Sequence, residues 1–174
     1  MQHQQPYKPY AAFGSRDTPD DVLEIMAMIG GELEAMGFTM RNGGASGADE
    51  AFLTNIQNPS TVELYLPWQG FNGYESDMSE PKAFAYEVAF LNHPNWSACN
   101  EKVRKLHARN SYIALGLDSK DTKSLFGVCW TPNGACVGGS GQTIRVLDTN
   151  LIPVFNLGEG EHVLDALIEF VNKL

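Results

Sequence analysis

The sequence predicts an α/β protein with a Rossmann-like three-layer sandwich, built on a mostly parallel sheet of about five or more strands. Two observations carry this prediction. Apolar strand-like runs alternate with helix-like runs along most of the chain, and three glycine-rich loops each follow a strand-like run and open a helix-like run. The loops cover residues 14–16, 42–47 and 138–142. Because parallel strands need crossover connections, this alternation indicates a sheet with helices on both faces.

The elements follow in order from local signals. A short strand is predicted over residues 10–13, and Pro19 with two acidic residues then opens a helix whose apolar positions recur to about Met36. Gly37 is a typical residue just beyond a helix end. The further strands are predicted over residues 38–41, 62–66, 124–130 and 152–156. The further helices are predicted over about residues 47–56, 82–91, 99–115, 161–174, and from the third glycine loop to about residue 150.

Length and composition indicate one domain over residues 10–174, preceded by a polar tail over residues 1–9. The tail has no apolar stretch of the kind found in a signal peptide, and no apolar run is long enough to cross a bilayer. Three cysteines without CxxC spacing fit neither a disulfide framework nor a zinc site. We therefore expect a cytoplasmic protein that makes no membrane contact.

The charge distribution argues for a small anionic ligand. The formal net charge is −9, which opposes binding to a phosphate backbone, so we do not expect nucleic acid as a partner. Of the five arginines, Arg16, Arg41 and Arg145 lie within or beside the three glycine loops. Glycine turns at the carboxyl ends of strands expose backbone N–H groups and precede helix N-termini, which bind anions. Because ligands of parallel sheets bind at these ends, the loops predict one crevice for a nucleotide-like molecule.

The loop over residues 43–47 does not match the ATP-binding P-loop, since no Lys follows it, and it lacks the strict glycine spacing of dinucleotide-binding loops. The chain nevertheless resembles the SLOG superfamily of Rossmann-like nucleotide-binding proteins, including its LOG phosphoribohydrolase, YpsA-related and DNA-processing protein A branches. The resemblance rests on four segments, residues 13–16, 43–49, 106–110 and 138–143.

The resemblance implies a ligand site formed by residues of all four segments. Together with the strand-end residues discussed below, we expect these ligand-binding residues: Gly14, Ser15, Arg16, Gly43, Gly44, Ala45, Ser46, Gly47, Asp49, Trp68, Arg109, Asn110, Thr131, Gly138, Gly139, Ser140, Gly141, Gln142, Thr143 and Arg145. The LOG enzymes place a catalytic glutamate where this chain has Arg145. The resemblance therefore implies that the binding cradle is retained and the catalytic carboxylate is absent, so we assign no catalytic residue and no cofactor.

Several candidates have two interpretations. Asp49 either stabilises a helix N-terminus or accepts hydrogen bonds from ribose hydroxyls. Trp68 lies in a glycine-rich segment that we expect to be a mobile loop over the site, and it either stacks on a base or anchors the loop. Arg109 either forms a surface ion pair or contacts the ligand. Thr131 could donate a hydrogen bond at a strand end. His93 and His107 have no further ligand at a recognisable spacing, so we predict no metal site.

Three hypotheses of function follow. The main one is a homo-oligomeric binder of a nucleotide or ADP-ribose-type molecule that senses or sequesters a nucleotide-derived signal; a phage-encoded protein acting in the host cytoplasm is one form of it. The first alternative is a phosphoribohydrolase-like N-glycosidase that uses Glu50, Glu87 or another acid in place of the missing glutamate. The second alternative is a recombination mediator that binds single-stranded DNA, with Arg109 as a contact residue.

Overall fold

The computed structural model describes residues 6–174 and confirms the predicted α/β class. The strands are β1 Pro9–Ala12, β2 Thr39–Asn42, β3 Val62–Leu64, β4 Gly127–Cys129 and β5 Val154–Asn156. The helices are α1 Asp20–Ala35, α2 Ala48–Leu53, α3 Ala83–Asn92, α4 Glu101–Leu115, α5 Gly138–Thr149 and α6 His162–Val171. All five strands run parallel in the order β3-β2-β1-β4-β5.

Two apolar cores lie on opposite faces of the sheet. On one face, α1, α2 and α6 contribute residues such as Met26, Phe52 and Leu167, which pack against the aromatic pair Tyr10 and Phe126. On the other face, residues of α3, α4 and α5 pack against side chains of β1 and β4. Burial of both sheet faces explains why the two central strands, β1 and β4, consist of apolar residues and glycine. The predicted three-layer sandwich is confirmed.

The strand order places a topological switch point between β1 and β4. The chain leaves β1 toward β2 and β3, then returns to form β4 on the other side of β1, where Ala12 pairs with Val128. The segment after β1 leads to α1 on one face, whereas the segment after β4 leads to α5 on the other. Segments that diverge in this way open a crevice at the carboxyl edge of a parallel sheet.

Local signals explain why α4 begins where it does. The Asn100 side chain accepts a hydrogen bond from the backbone N–H of Val103 at 2.9 Å, and Gly116 follows the helix with a φ of 82°. Side-chain capping at the start and a glycine at the end are typical helix boundaries. The boundaries predicted from sequence elsewhere differ by a few residues, as helix and strand ends commonly do.

The predicted division into a tail over residues 1–9 and one domain over residues 10–174 stays a prediction. Residues 1–5 lie outside the described residues, and Pro9 already belongs to β1. Within residues 6–174, none of the helices combines the length and apolar character that a membrane span requires.

Candidate functional site

A cleft of about 890 Å³ lies at the switch point, along the carboxyl edge of the sheet. The segments after β1, β2 and β4 line it together with α4 and the start of α5. Many of the residues predicted from sequence meet here, although their role as ligand contacts stays a prediction. The predicted residues that line the cleft are Gly14, Ser15, Arg16, Ala45, Asp49, Arg109, Asn110, Thr131, Gly138, Gly139, Ser140, Thr143 and Arg145.

The segment after β1 forms one rim of the cleft. The backbone N–H of Ser15 donates to the Trp130 carbonyl at 3.0 Å, which holds this segment beside the end of β4. Gly14 packs so closely that a Cβ there would lie 2.7 Å from the Ala48 Cβ. Arg16 follows on the rim, is exposed, and forms no ion pair with any residue in the described part of the chain. Its guanidinium is therefore available to an anion in the cleft.

Asp49 and Arg109 lie buried side by side beneath the second glycine loop. The Asp49 carboxylate accepts a hydrogen bond from the Ala45 N–H at 3.2 Å, and Arg109 donates to the Gly43 and Tyr65 carbonyls. A Cβ at Gly43 would lie 2.8 Å from Arg109 Nη1 and 3.0 Å from Asp49 Oδ2, so only glycine fits between the two groups. Both side chains are almost inaccessible to solvent, with exposures of 5% and 4%.

Burial dominates the ionisation of this pair. Loss of solvation raises the pKa of Asp49 to about 6, although Arg109 and the backbone N–H groups of the loop favour its charged form. Loss of solvation also lowers the pKa of Arg109 to about 10, although Asp49 opposes this change. Arg109 keeps its positive charge at neutral pH. Its Nη2 makes no hydrogen bond among the residues that the structure describes, and the side chain lines the cleft.

One turn of α4 connects the second and third glycine segments. Arg109 Nε donates to Asn110 Oδ1 at 2.9 Å, and Asn110 Nδ2 donates to the Gly139 carbonyl at 3.2 Å. Since Arg109 also binds the Gly43 carbonyl, two adjacent side chains hold both segments in place. The expectation of a surface ion pair at Arg109 is wrong, because the side chain is buried and bonded mainly to backbone carbonyls.

The third glycine segment is part of a helix and not a free loop. The helix α5 begins at Gly138, and the Gly141 N–H already donates to the Val137 carbonyl at 2.8 Å. The first N–H groups of a helix have no partner within it, and those of Gly138, Gly139 and Ser140 belong to residues that line the cleft. The start of α5 therefore provides anion-binding backbone donors at the wall of the cleft.

The side chains of Gln142 and Arg145 form hydrogen bonds that connect α5 to α3. Gln142 is fully buried, and its Nε2 donates to the Ala89 carbonyl of α3 at 3.0 Å. Arg145 Nη2 donates to Gln142 Oε1 at 2.8 Å, and its Nε donates to the Asn92 carbonyl at 3.0 Å. These bonds connect α5 to α3, so Arg145 reaches the cleft with most of its donors already in use. Thr131 is buried too, and its hydroxyl accepts from Asn156 Nδ2 at 2.7 Å.

Some predicted residues do not line the cleft. Gly43 and Gly47 lie behind its walls, and a Cβ at Gly47 would meet the Arg16 backbone at 2.8 Å. The others outside it are Gly44, Ser46, Trp68, Gly141 and Gln142. Arg41, which precedes the second loop in the sequence, is fully buried and pairs with Glu63 at 2.9 Å and Asp121 at 3.5 Å. Its charge is neutralised within the protein.

Trp68 lies in a second hollow, which we call the side groove, with Asn100, Glu101, Lys102 and Lys105. The side groove has a volume of about 540 Å³. The Trp68 ring packs edge-on against Phe71, and Lys102 Nζ lies 5.7 Å from its centroid. Since residues of α4 line both hollows, this helix is their common wall. Trp68 was the one residue of this groove with a sequence signal, because the lysines of α4 belong to no motif.

The cleft also contains residues that no motif of the sequence indicates as site residues. Asp17 and Cys136 lie on its rim, and His93 and His107 line it near α4. The two histidine rings lie 4.6 Å apart, centroid to centroid, although fourteen positions separate them in the sequence. Only the packing of α3 against α4 brings them together.

Fold and cleft together define a Rossmann-like α/β protein with a crevice at its switch point. No protein-family model matches the chain, and no curated protein matches it. A similar solved structure is that of DNA processing protein A from Helicobacter pylori, which comes from a study of how that protein binds single-stranded DNA. The two share 17% sequence identity with a TM-score of 0.57, over 86% of this chain and 64% of the other. At this identity the likeness is one of fold, and it agrees with the resemblance to the DNA-processing protein A branch.

This comparison corrects two predictions. The main hypothesis, a nucleotide or ADP-ribose-type ligand, is contradicted because the similar structure comes from a protein that binds single-stranded DNA. The prediction that excluded nucleic acid as a partner is wrong for the same reason. It relied on the net charge of −9, and net charge does not describe how cations are placed locally. A phage origin has no support from the comparison.

Proposed function

We propose that this chain binds single-stranded DNA, with a phosphate seated in the cleft at the carboxyl edge of the sheet. The observation that carries the proposal is the composition of the cleft on this fold. An unpaired exposed arginine and the free N–H groups of a helix start line the same cavity. Arginine side chains and helix N-termini are the groups that most often contact the phosphates of nucleic acids.

Arg16 and the start of α5 are the first contacts in this proposal. Arg16 is a planar donor on a short segment fixed by the Ser15 to Trp130 hydrogen bond, so its position is defined while its head group is exposed. Deeper in the cleft, Arg109 contributes a buried positive charge, which the neighbouring Asp49 carboxylate partly offsets. Desolvated charges act more strongly on an anion than charges in water. These groups together favour a phosphate over a neutral ligand.

The side groove supplies the second requirement of single-strand binding, an aromatic surface for bases. Trp68 is partly exposed there, and Lys102 and Lys105 lie on the same wall. Stacking on aromatic rings beside a cationic track is the usual way that proteins hold unpaired strands without reading their sequence. Because residues of α4 line both hollows, a DNA strand that runs along this helix would place a phosphate in the cleft and a base on Trp68.

The acidic surface limits this interaction to a few contacts. With about three phosphates contacted, the logarithm of the association constant should fall with the logarithm of salt concentration with a slope of about −2. A long basic track would give a much steeper slope. The proposal therefore predicts binding that is measurable at low salt and weak at physiological salt.

The test is fluorescence anisotropy of a labelled oligothymidine titrated with the protein across a salt series. Arg16→Ala should weaken binding about tenfold at low salt, which corresponds to the loss of a charge-assisted hydrogen bond. Lys173→Ala is the matched control, because it removes the same charge from an exposed side chain at the end of α6. Equal losses in both variants, or no binding by the unaltered protein at low salt, would refute the proposal.

The phosphoribohydrolase alternative stays a prediction without further support. Glu50 and Glu87 are exposed and neither lines the cleft, and the Glu50 carboxylate accepts from Asn72 Nδ2 at 2.8 Å. Membership of the SLOG superfamily, a cytoplasmic location and homo-oligomerisation are likewise retained as predictions.

A further inference from the structure

Three side chains with metal-binding atoms meet at the α3–α4 end of the cleft. His93 follows α3 directly, Cys99 precedes the first turn of α4, and His107 lies within α4. Their ligand atoms all lie within 4.8 Å of one another. The Cys99 sulfur is 3.7 Å from His93 Nε2 and 3.9 Å from His93 Nδ1. No motif spacing connects these residues, and tertiary packing alone assembles them.

The distances are close to those of a coordinated set. Zinc binds nitrogen at about 2.0–2.1 Å and sulfur at about 2.3 Å, so ligand atoms of a tetrahedral site lie about 3.3–3.6 Å apart. The sulfur to His93 distance is already near this range. The widest separation needs to close by roughly an ångström, which side-chain rotation of the partly buried Cys99 and His93 can supply.

His107 provides an independent indication of a missing partner. The side chain is only 8% exposed, and its Nδ1 is buried without a hydrogen-bond partner in the described part of the chain. Buried polar atoms are nearly always satisfied, and exceptions mark strain or an unrecognised ligand or ion. An imidazole held by packing beside a thiol and a second imidazole is a suitable metal ligand.

One hydrogen bond of His93 competes with coordination. The Asn95 N–H donates to His93 Nδ1 at 3.1 Å, so a metal bound at this nitrogen would replace that bond.

We propose that His93, Cys99 and His107 bind a zinc ion, with the fourth coordination position open to the cleft. A set of two imidazoles and one thiolate is borderline soft, and it favours Zn²⁺ over the oxygen-seeking cations Mg²⁺ and Ca²⁺. Three protein ligands leave one position for water or an anion, and both histidines line the cleft. None of the three ligands is among the proposed DNA contacts, so the two proposals can be tested separately.

The test uses Co²⁺ as a spectroscopic substitute for Zn²⁺ on reduced, chelator-treated full-length protein. The unaltered chain should bind one Co²⁺ with the intense visible absorption of a tetrahedral site and a thiolate-to-cobalt charge-transfer band. Zn²⁺ should displace it. Cys99→Ser should abolish the charge-transfer band and weaken Zn²⁺ binding at least about a hundredfold, since even outer-shell partners of a metal contribute tenfold to a hundredfold.

Two further variants keep the result interpretable. Cys136→Ser removes the other thiol at the cleft and should leave the spectrum unchanged. His93→Gln changes a partly buried side chain and should weaken binding while the far-ultraviolet circular dichroism stays that of the unaltered protein. Absence of a tetrahedral cobalt spectrum in the unaltered protein overturns the proposal. A charge-transfer band that survives Cys99→Ser, or that disappears in Cys136→Ser, overturns it as well.

Discussion

Replacing Asp49 with Asn tests directly whether burial in the cleft raises the pKa of the Asp49 carboxylate. The Asp49 pKa is about 6 in the folded protein and 3.8 in the reference state, because burial disfavours the charged carboxylate. Between these values the folded state binds more protons than the unfolded state. Stability is therefore greatest below the unfolded pKa and falls as the pH rises toward the folded pKa. The full difference is about 3 kcal/mol, most of which falls between about pH 4 and pH 7.

The measurement is urea unfolding of the unaltered protein and of Asp49→Asn at several pH values in this range. The difference in unfolding free energy between the two proteins should change by about 2 to 3 kcal/mol, with the unaltered protein losing stability relative to the variant as the pH rises. Asp148→Asn, at an exposed position near the end of α5, is the control and should show no such change. A difference that stays constant from pH 4 to pH 7 would refute the assignment of a desolvated carboxylate.

Two further substitutions examine the proposed strand path and the packing of the cleft. Trp68→Ala should weaken oligothymidine binding by about 1–3 kcal/mol, as expected for the loss of one stacked base. Trp96 lines neither hollow, so Trp96→Ala should not weaken binding. Equal effects of the two substitutions would contradict the proposed strand path. Gly43→Ala should cost about 1–3 kcal/mol of unfolding free energy, because its Cβ would lie 2.8 Å from Arg109 Nη1. Gly139→Ala, whose Cβ would lie 3.9 Å from the nearest atom, should be nearly neutral, and thermal unfolding of both variants decides the point.

The fold could be predicted because its signals are local. Alternating apolar runs and the glycine turns after residues such as Phe13 and Asn42 follow from strand and helix periodicity and from backbone geometry. The same local signals placed the first and third glycine segments at one edge of the sheet. The third segment was read as a loop, yet it is the first turn of α5, because a glycine-rich stretch can also begin a helix.

The parts of the site that the sequence could not supply depend on tertiary packing. Gln142 and Arg145 stay predicted ligand contacts, and the sequence motif does not show that both also donate hydrogen bonds to backbone carbonyls of α3. Arg41 lies beside the second glycine segment in the sequence, but its side chain is buried and pairs with the half-buried carboxylate of Glu63. His93 and His107 meet only because α3 packs on α4, a contact that no linear spacing records.

The position of α4 as a wall of both hollows has a thermodynamic consequence. This helix contributes His107 to the metal-binding atoms and Lys102, Lys105 and Arg109 to the proposed strand path. If zinc shifts or stiffens this helix, the affinity of the protein for an oligonucleotide bound along the same helix changes as well. Linkage then requires reciprocity: the factor by which zinc changes the affinity for the oligonucleotide equals the factor by which the oligonucleotide changes the affinity for zinc.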